Sequence, residues 1–156
     1  MIKISIPGTS PLNLHHIVLD MNGTLTTDGL LPEGVHERLE RLKNKLNIYM
    51  LTADTYGTAS EVARELDIDQ VTVSSTNGAL DKANFVADLK PAGTIAIGNG
   101  YNDLEMFKQA QLSMAVIGRE GCYMGTLLEA DIVVNDINDA LDMILNPLRI
   151  IATLRR

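Results

Sequence analysis

The chain has 156 residues, 46% of them hydrophobic, with 20 acidic against 13 basic side chains and a net charge of −7. That length and apolar content predict one domain with its own core, spanning residues 1–156. The acidic balance, with no basic stripe, argues against a general nucleic-acid binder. The single cysteine, Cys122, excludes an internal disulfide and fits a reducing, cytoplasmic setting. No signal-peptide pattern opens the sequence, and no apolar run approaches the roughly 18 residues a membrane helix needs, so no membrane partner is expected.

In chain order, Ile2, Ile4 and Ile6 alternate with Lys3 and Ser5, which predicts a half-buried strand. A turn at Pro7–Pro11 leads to a second strand, Leu14–Leu19, expected to pair antiparallel with the first. His15 and His16 are adjacent, so on a strand they face opposite ways and have no partners for a metal. The apolar run Ile17-Val18-Leu19 ends at Asp20 and reads as a buried strand of a parallel sheet. Asp28-Gly29 marks a turn, and Pro32 suits the first turn of a helix carrying Val35, Leu39, Leu42 and Leu46. Ile48–Leu51 is the next strand. Thr58 and Glu61 have capping-box spacing for a helix with Val62 and Leu66. A short strand at Val71–Ser74 precedes a helix over Gly78–Leu89, closed by Pro91 and Gly93.

Thr94–Ile97 is a strand, and Leu104, Phe107 and Ala110 mark a helix face. Leu112–Ile117 is a strand, Tyr123–Glu129 a helix and Ile132–Val134 a last strand. Asn138 is placed to cap a final helix through Leu141 and Ile144. Beyond Pro147 the apolar face continues through Leu148, Ile151 and Leu154, to dock on its own sheet or on a second copy in a homo-oligomer. This alternation predicts an α/β fold: an open, mostly parallel Rossmannoid sheet with helices on both faces.

Three stretches arrive at the carboxyl ends of predicted strands, where such sheets bind ligands. They are Asp20-Met21-Asn22-Gly23-Thr24, Leu51-Thr52-Ala53-Asp54, and Gly98-Asn99-Gly100-Tyr101-Asn102-Asp103, the last with Lys82 upstream. Gly23 lets the chain turn directly after Asp20. A carboxylate such as Asp20 can attack phosphorus and hold the phosphoryl group as an acyl phosphate. Thr52 offers a hydroxyl to a phosphate oxygen, and Lys82 a cation, with Lys90 as its rival. A nucleotide-binding reading of GNGYND lacks the third glycine of GxGxxG.

The ordered set resembles the haloacid dehalogenase-like (HAD) superfamily, and within it is most similar to soluble relatives of the P-type ATPase phosphorylation domain. That family writes DxDGT or DKTGT, a strand-end Thr or Ser, a Lys, then GDGxND. Here the same order reads DMNGT, LTAD, DK and GNGYND across about residues 14–156. The resemblance implies an Asp20 nucleophile, phosphate contacts from Thr52, Lys82 and Gly23, and Mg²⁺ held by Asp20, the Asn22 carbonyl, Asn99 and Asp103. It also implies an uncapped site, because no inserted domain fits before Thr52 or before Lys82. Two departures matter. The family's phosphatases carry an acid/base Asp where this chain has Asn22, and an amide forgoes the roughly 10²–10⁴-fold that general acid–base catalysis supplies. Asn99 replaces the usual acidic metal ligand and predicts weak Mg²⁺ binding. The expected function is therefore a slow Mg²⁺-dependent phosphohydrolase acting on a phosphorylated substrate. The alternative is a catalytically degenerate HAD-like phosphate- or partner-binding module.

Overall fold

The computed structural model describes residues 1–54 and 57–156. Eight strands are present among these residues: β1 (Ile2–Ile4), β2 (Leu12–Leu14), β3 (His16–Asp20), β4 (Asn47–Thr52), β5 (Asp69–Thr72), β6 (Thr94–Gly98), β7 (Leu112–Val116) and β8 (Ile132–Val134). The helices are α1 (Val35–Lys43), α2 (Ala59–Leu66), α3 (Gly78–Asp88), α4 (Leu104–Gln109), α5 (Met124–Glu129), α6 (Ile137–Leu145) and α7 (Pro147–Leu154).

Six strands form one parallel sheet in the order β5-β4-β3-β6-β7-β8. Side chains alternate along the central strand, so each face collects its own core. Ile17 and Leu19 of β3 join α1, α2, α6 and α7, while Val18 joins Val86 of α3 and Met106 and Phe107 of α4. The strand order runs outward in both directions from β3. The carboxyl ends of β3 and β6 therefore flank the crevice where such a sheet presents its loops to a ligand. Only α1 and its flanks lie between β3 and β4, and no additional domain is inserted among the described residues.

Several local expectations need correction. The segment Leu14–Leu19 is divided: β2 pairs antiparallel with β1 in a separate two-stranded sheet, whereas β3 lies in the main sheet. The division falls at His15, whose N–H donates to the Gly93 carbonyl at 2.7 Å while its own carbonyl accepts from Asn47 at 2.9 Å. Pro32 lies before α1, because Gly34 adopts a left-handed φ of 87° that starts the helix only at Val35. Thr58 makes no cap; its hydroxyl is buried without a partner, and Asp54 instead accepts from the Ala59 N–H at 2.9 Å. Asn138 lies inside α6, which Asp136 caps by accepting from the Asp139 N–H at 3.0 Å. In α7 Ile150 is fully buried and Ile151 and Leu154 pack, partly buried, against the same core as their spacing predicts, while Leu148 is 78% exposed.

Arg38 of α1 and Asp142 of α6 form a bidentate pair at 2.8 and 3.0 Å. The hydrogen bonds from Arg38 hold the Asp142 carboxyl below the ordinary aspartate range. Its stabilising effect is therefore complete above the unfolded-state value and fades as pH falls through the folded one. Asp142→Asn should cost about 1 kcal/mol at neutral pH, since the pair is partly solvated. In urea unfolding series the gap between wild type and variant should close below about pH 4; a gap that persists in acid would contradict this account of the pair.

Candidate active site

Asp20 is the last residue of β3, and the parallel geometry aims it at the crevice. It is 6% exposed. Lys82 reaches it from α3. The buried stripe of that helix is Gly78, Lys82, Ala83 and Val86, so the ammonium is carried inward at helical spacing among apolar neighbours. Lys82 is fully buried, with its Nζ 2.6 Å from Asp20 Oδ1 and 2.7 Å from Asp103 Oδ1. Lys90 is exposed and precedes β6, at the opposite, amino-terminal edge of the sheet from Asp20.

Asp103 is also fully buried, and both its oxygens are engaged. Oδ1 accepts from Lys82, while Oδ2 accepts from the N–H groups of Asn99 at 2.9 Å and Gly100 at 2.8 Å. The carboxylate folds back over the end of β6, where a methyl group on Gly98 would lie 2.5 Å from it. Asp103, expected among the metal ligands, is hydrogen-bonded to Lys82 and to the backbone of the 98–103 turn.

Charge is unevenly satisfied here: two buried carboxylates share one ammonium. Burial, reinforced by Asp103, pushes the Asp20 carboxyl up to about 6, against the opposing pull of Lys82 and the Thr24 hydroxyl. Burial opposes the charge on Lys82, but Asp103 and Asp20 together outweigh it and hold the ammonium above the ordinary lysine range.

The neutral residues are tied to this cluster. Thr52, ending β4, is 1% exposed; its hydroxyl accepts from the Asp54 N–H at 2.9 Å and keeps its proton for a ligand. Asn99 is oriented by the Thr24 hydroxyl, which donates to its Oδ1 at 3.1 Å, and by the Gly121 carbonyl, which accepts from its Nδ2 at 2.9 Å. Gly23 has φ 80°, and a side chain there would collide with the Asn99 amide. Its N–H donates to the Thr26 carbonyl at 2.9 Å, which shapes the turn after Asp20. The Asn22 side-chain oxygen is buried with no hydrogen-bond partner.

Among the described residues, no three His, Cys, Asp or Glu side chains converge as a metal-binding group.

Thr24 and Gly121 are the contributors that the motif reading passed over. Thr24 was visible as the last letter of DMNGT, but nothing in the sequence marks a backbone carbonyl such as that of Gly121. A cleft of about 570 Å³ opens beside Gly23 and Thr24, with Leu31, Val116, Arg119 and Ile137 in its walls, which include neither Asp20 nor Lys82.

A family model described as haloacid dehalogenase-like hydrolase matches residues 81–118, the span from Asp81-Lys82 through the 98–103 turn and β7. Two uncharacterized proteins of Methanocaldococcus jannaschii are similar to parts of the chain. MJ0073 is 57% identical over 61 residues, covering 39% of this chain and 66% of its own length. MJ0072 is 59% identical over 39 residues, covering 25% of this chain and 89% of its own length. A probable copper-transporting ATPase of Arabidopsis thaliana is 31% identical over 100 residues, 62% of this chain but 10% of that protein, so the likeness to P-type ATPases is partial.

Among solved structures, the cobalt-bound deoxy-D-mannose-octulosonate 8-phosphate phosphatase of Haemophilus influenzae superposes with a TM-score of 0.72 at 17% identity, covering 86% of this chain and 88% of that one. The corresponding phosphatase of Moraxella catarrhalis, in complex with magnesium, phosphate and KDO, gives a TM-score of 0.65 at 15% identity, covering 85% and 86%.

Because the folded Asp20 carboxyl binds its proton more tightly than in the unfolded chain, stability falls as pH rises from about 4 to about 6. Asp20→Asn removes that excess charge. The variant should gain stability relative to wild type across this window and stay ahead by about 1–3 kcal/mol at pH 7.5. Parallel thermal and urea unfolding of the two proteins checks this; a variant less stable than wild type at pH 7.5 would mean that the Lys82 pairing outweighs the burial of Asp20.

Proposed function

We propose that this chain, which belongs to the haloacid dehalogenase-like hydrolases, is a phosphohydrolase that takes a phosphoryl group onto Asp20. The observation that carries the reading is the buried Asp20–Lys82–Asp103 cluster at the ligand edge of the sheet. Such a cluster is a poor choice for stability alone, since two carboxylates buried around one ammonium leave charge uncompensated. It suits a site that must hold one carboxylate ready while anionic phosphate approaches.

Each group has a part. Asp20 attacks phosphorus as a carboxylate. Lys82 neutralises the charge that gathers between Asp20 and the phosphoryl oxygens. Asp103 fixes Lys82 and the turn after β6. Thr52 donates its hydroxyl to a phosphoryl oxygen. The backbone oxygen of Asn22 and the amide oxygen of Asn99 stand with Asp20 as the oxygens that would hold a divalent cation. One carboxylate and neutral oxygens fit Mg²⁺, which takes its remaining ligands from phosphate and water. When bound, the cation supplies positive charge to the transferring phosphoryl group. With only one formal charge among these oxygens its binding is weak. Asn22 offers no proton in either half of the reaction, so the phosphorylated Asp20 persists and turnover is slow.

Labelling with radioactive acetyl phosphate and Mg²⁺, followed by acid quench, should place an alkali-labile label on the protein, and Asp20→Asn should abolish it. A protein that takes no label and hydrolyses no phosphate compound would instead be a binding module on the same fold. Calorimetry tests the cation separately. Asn99→Asp adds a carboxylate to the set and should tighten Mg²⁺ by about tenfold or more; unchanged affinity would remove Asn99 from the metal site.

A further inference from the structure

Resting on the phosphohydrolase reading above, we infer that the site takes a phosphate compound whose remainder is apolar and uncharged, held in the cleft beside Gly23 and Thr24. The cleft is continuous with the site. Thr24, in its wall, donates its hydroxyl to Asn99 Oδ1 at 3.1 Å, and Gly23, beside it, packs against the Asn99 amide. A phosphoryl group held at Asp20 therefore has this space next to it. At about 570 Å³ the cleft has the size of a small-molecule site, roughly 300–1,000 Å³.

Its walls are fixed by specific bonds. One wall is the tight turn Thr27–Leu30, whose end residues exchange N–H···O bonds at 2.9 and 3.0 Å. Asp28 and Gly29 both have left-handed φ, 52° and 77°, the geometry of a two-residue hairpin turn. The turn sets Leu30 outward, 73% exposed, and Leu31 and Pro32 continue the wall toward α1. Glu120, in the loop after β7, holds the turn by accepting from the Asp28 N–H at 3.0 Å. The other wall is the end of β7 and the start of α6, where Val116 and Ile137 are each 1% exposed. Asn138 of α6 donates to the Glu33 carbonyl at 2.9 Å, which ties this wall to the segment before α1. Gly118 fits against the Gly23 carbonyl, 3.2 Å from where a side chain would begin.

The chemistry of the walls selects the ligand. Leu30, Leu31, Pro32, Val116 and Ile137 give an apolar surface. Two of the polar side chains are engaged in the fold: Asp136 caps α6 on the Asp139 N–H at 3.0 Å, and Asn138 bonds Glu33. The charged side chains are Asp28, Asp136 and Arg119, two acids to one base, in a protein of net charge −7. A second anionic group on the ligand would be repelled by that balance. An apolar remainder leaves water for the cleft, and it covers Leu30, a large apolar side chain that the turn otherwise holds in solvent.

The test uses phosphonates, whose carbon–phosphorus bond the reaction does not cleave. Methyl-, propyl- and hexylphosphonate are titrated with Mg²⁺ by calorimetry, and compete with acetyl phosphate for labelling of Asp20. Affinity should rise about two- to fourfold with each methylene, and so about 30-fold or more from methyl to hexyl. A carboxypentylphosphonate, of the same length but ending in a carboxylate, should bind about tenfold more weakly than hexylphosphonate. Leu30→Ser, a change at an exposed position, should compress the hexyl-to-methyl ratio about fivefold. A series flat from methyl to hexyl, a ratio untouched by Leu30→Ser, or a carboxylate that binds more tightly than the alkyl chain and so draws on Arg119, overturns the inference while Asp20 labelling still supports the phosphohydrolase. A rising series in a protein that takes no label keeps the apolar ligand and overturns the phosphohydrolase reading instead. No binding and no label overturn both.

Discussion

Three buried charges hold this site in place: the Lys82 ammonium between the carboxylates of Asp20 and Asp103. Each comes from a different part of the chain, a strand end, a helix face and a turn, so their meeting requires β3, α3 and β6 to be correctly placed at once. The helix must present its buried stripe at the level of the strand ends, or the ammonium is stranded in an apolar core at a cost of several kcal/mol. The turn after β6 must fold back tightly, which Gly98 permits and the two N–H groups bound by Asp103 enforce. The residual imbalance, two acids to one base, falls on Asp20, the group the proposed chemistry uses.

Much of this architecture was legible in the residues. Strands read from apolar runs that end in an acid, an amide or a threonine were found close to their expected places, because a parallel sheet buries both faces and leaves continuous hydrophobic signatures. The helices α1 and α6 stood out by their apolar spacing. What could not be read was local competition among polar groups. Asp54, Thr58 and Glu61 all had the chemistry to cap α2, and the left-handed backbone at Asp54 settled the matter. Asp136, in extended backbone, preceded Asn138 to the start of α6 and accepts from the Asp139 N–H. The division of Leu14–Leu19 depended on the hydrogen bonds that His15 donates to Gly93 and accepts from Asn47, contacts that no local window contains.

The site itself divides along the same line. The order of Asp20, Thr52, Lys82 and Asp103 along the chain is a sequence property, and the resemblance to the HAD superfamily rested on it. The duties of Gly23, Asp103 and Thr24 are properties of packing. Gly23 is needed because the Asn99 amide occupies the space a side chain would fill, and Asp103 accepts from Lys82 and from the N–H groups of Asn99 and Gly100. A motif records which residue types recur, whereas the direction of a lone pair depends on neighbours that the motif omits.

The arrangement of the sheet also governs how the protein is made. The nucleophile strand β3 is synthesised before β6, yet it lies at the centre of the sheet and pairs on one side with that strand, whose residues begin at Thr94. Until that strand is available, β3 has an open edge bearing Ile17, Val18 and Leu19, all of which are fully buried in the finished protein. The contact between Thr24 and Asn99 likewise closes over a separation of 75 residues. Such long-range pairings slow folding, because the entropy of closing the loop is spent before the contacts form. A nascent chain halted before β6 would therefore display an unpaired apolar strand, the kind of surface on which aggregation begins.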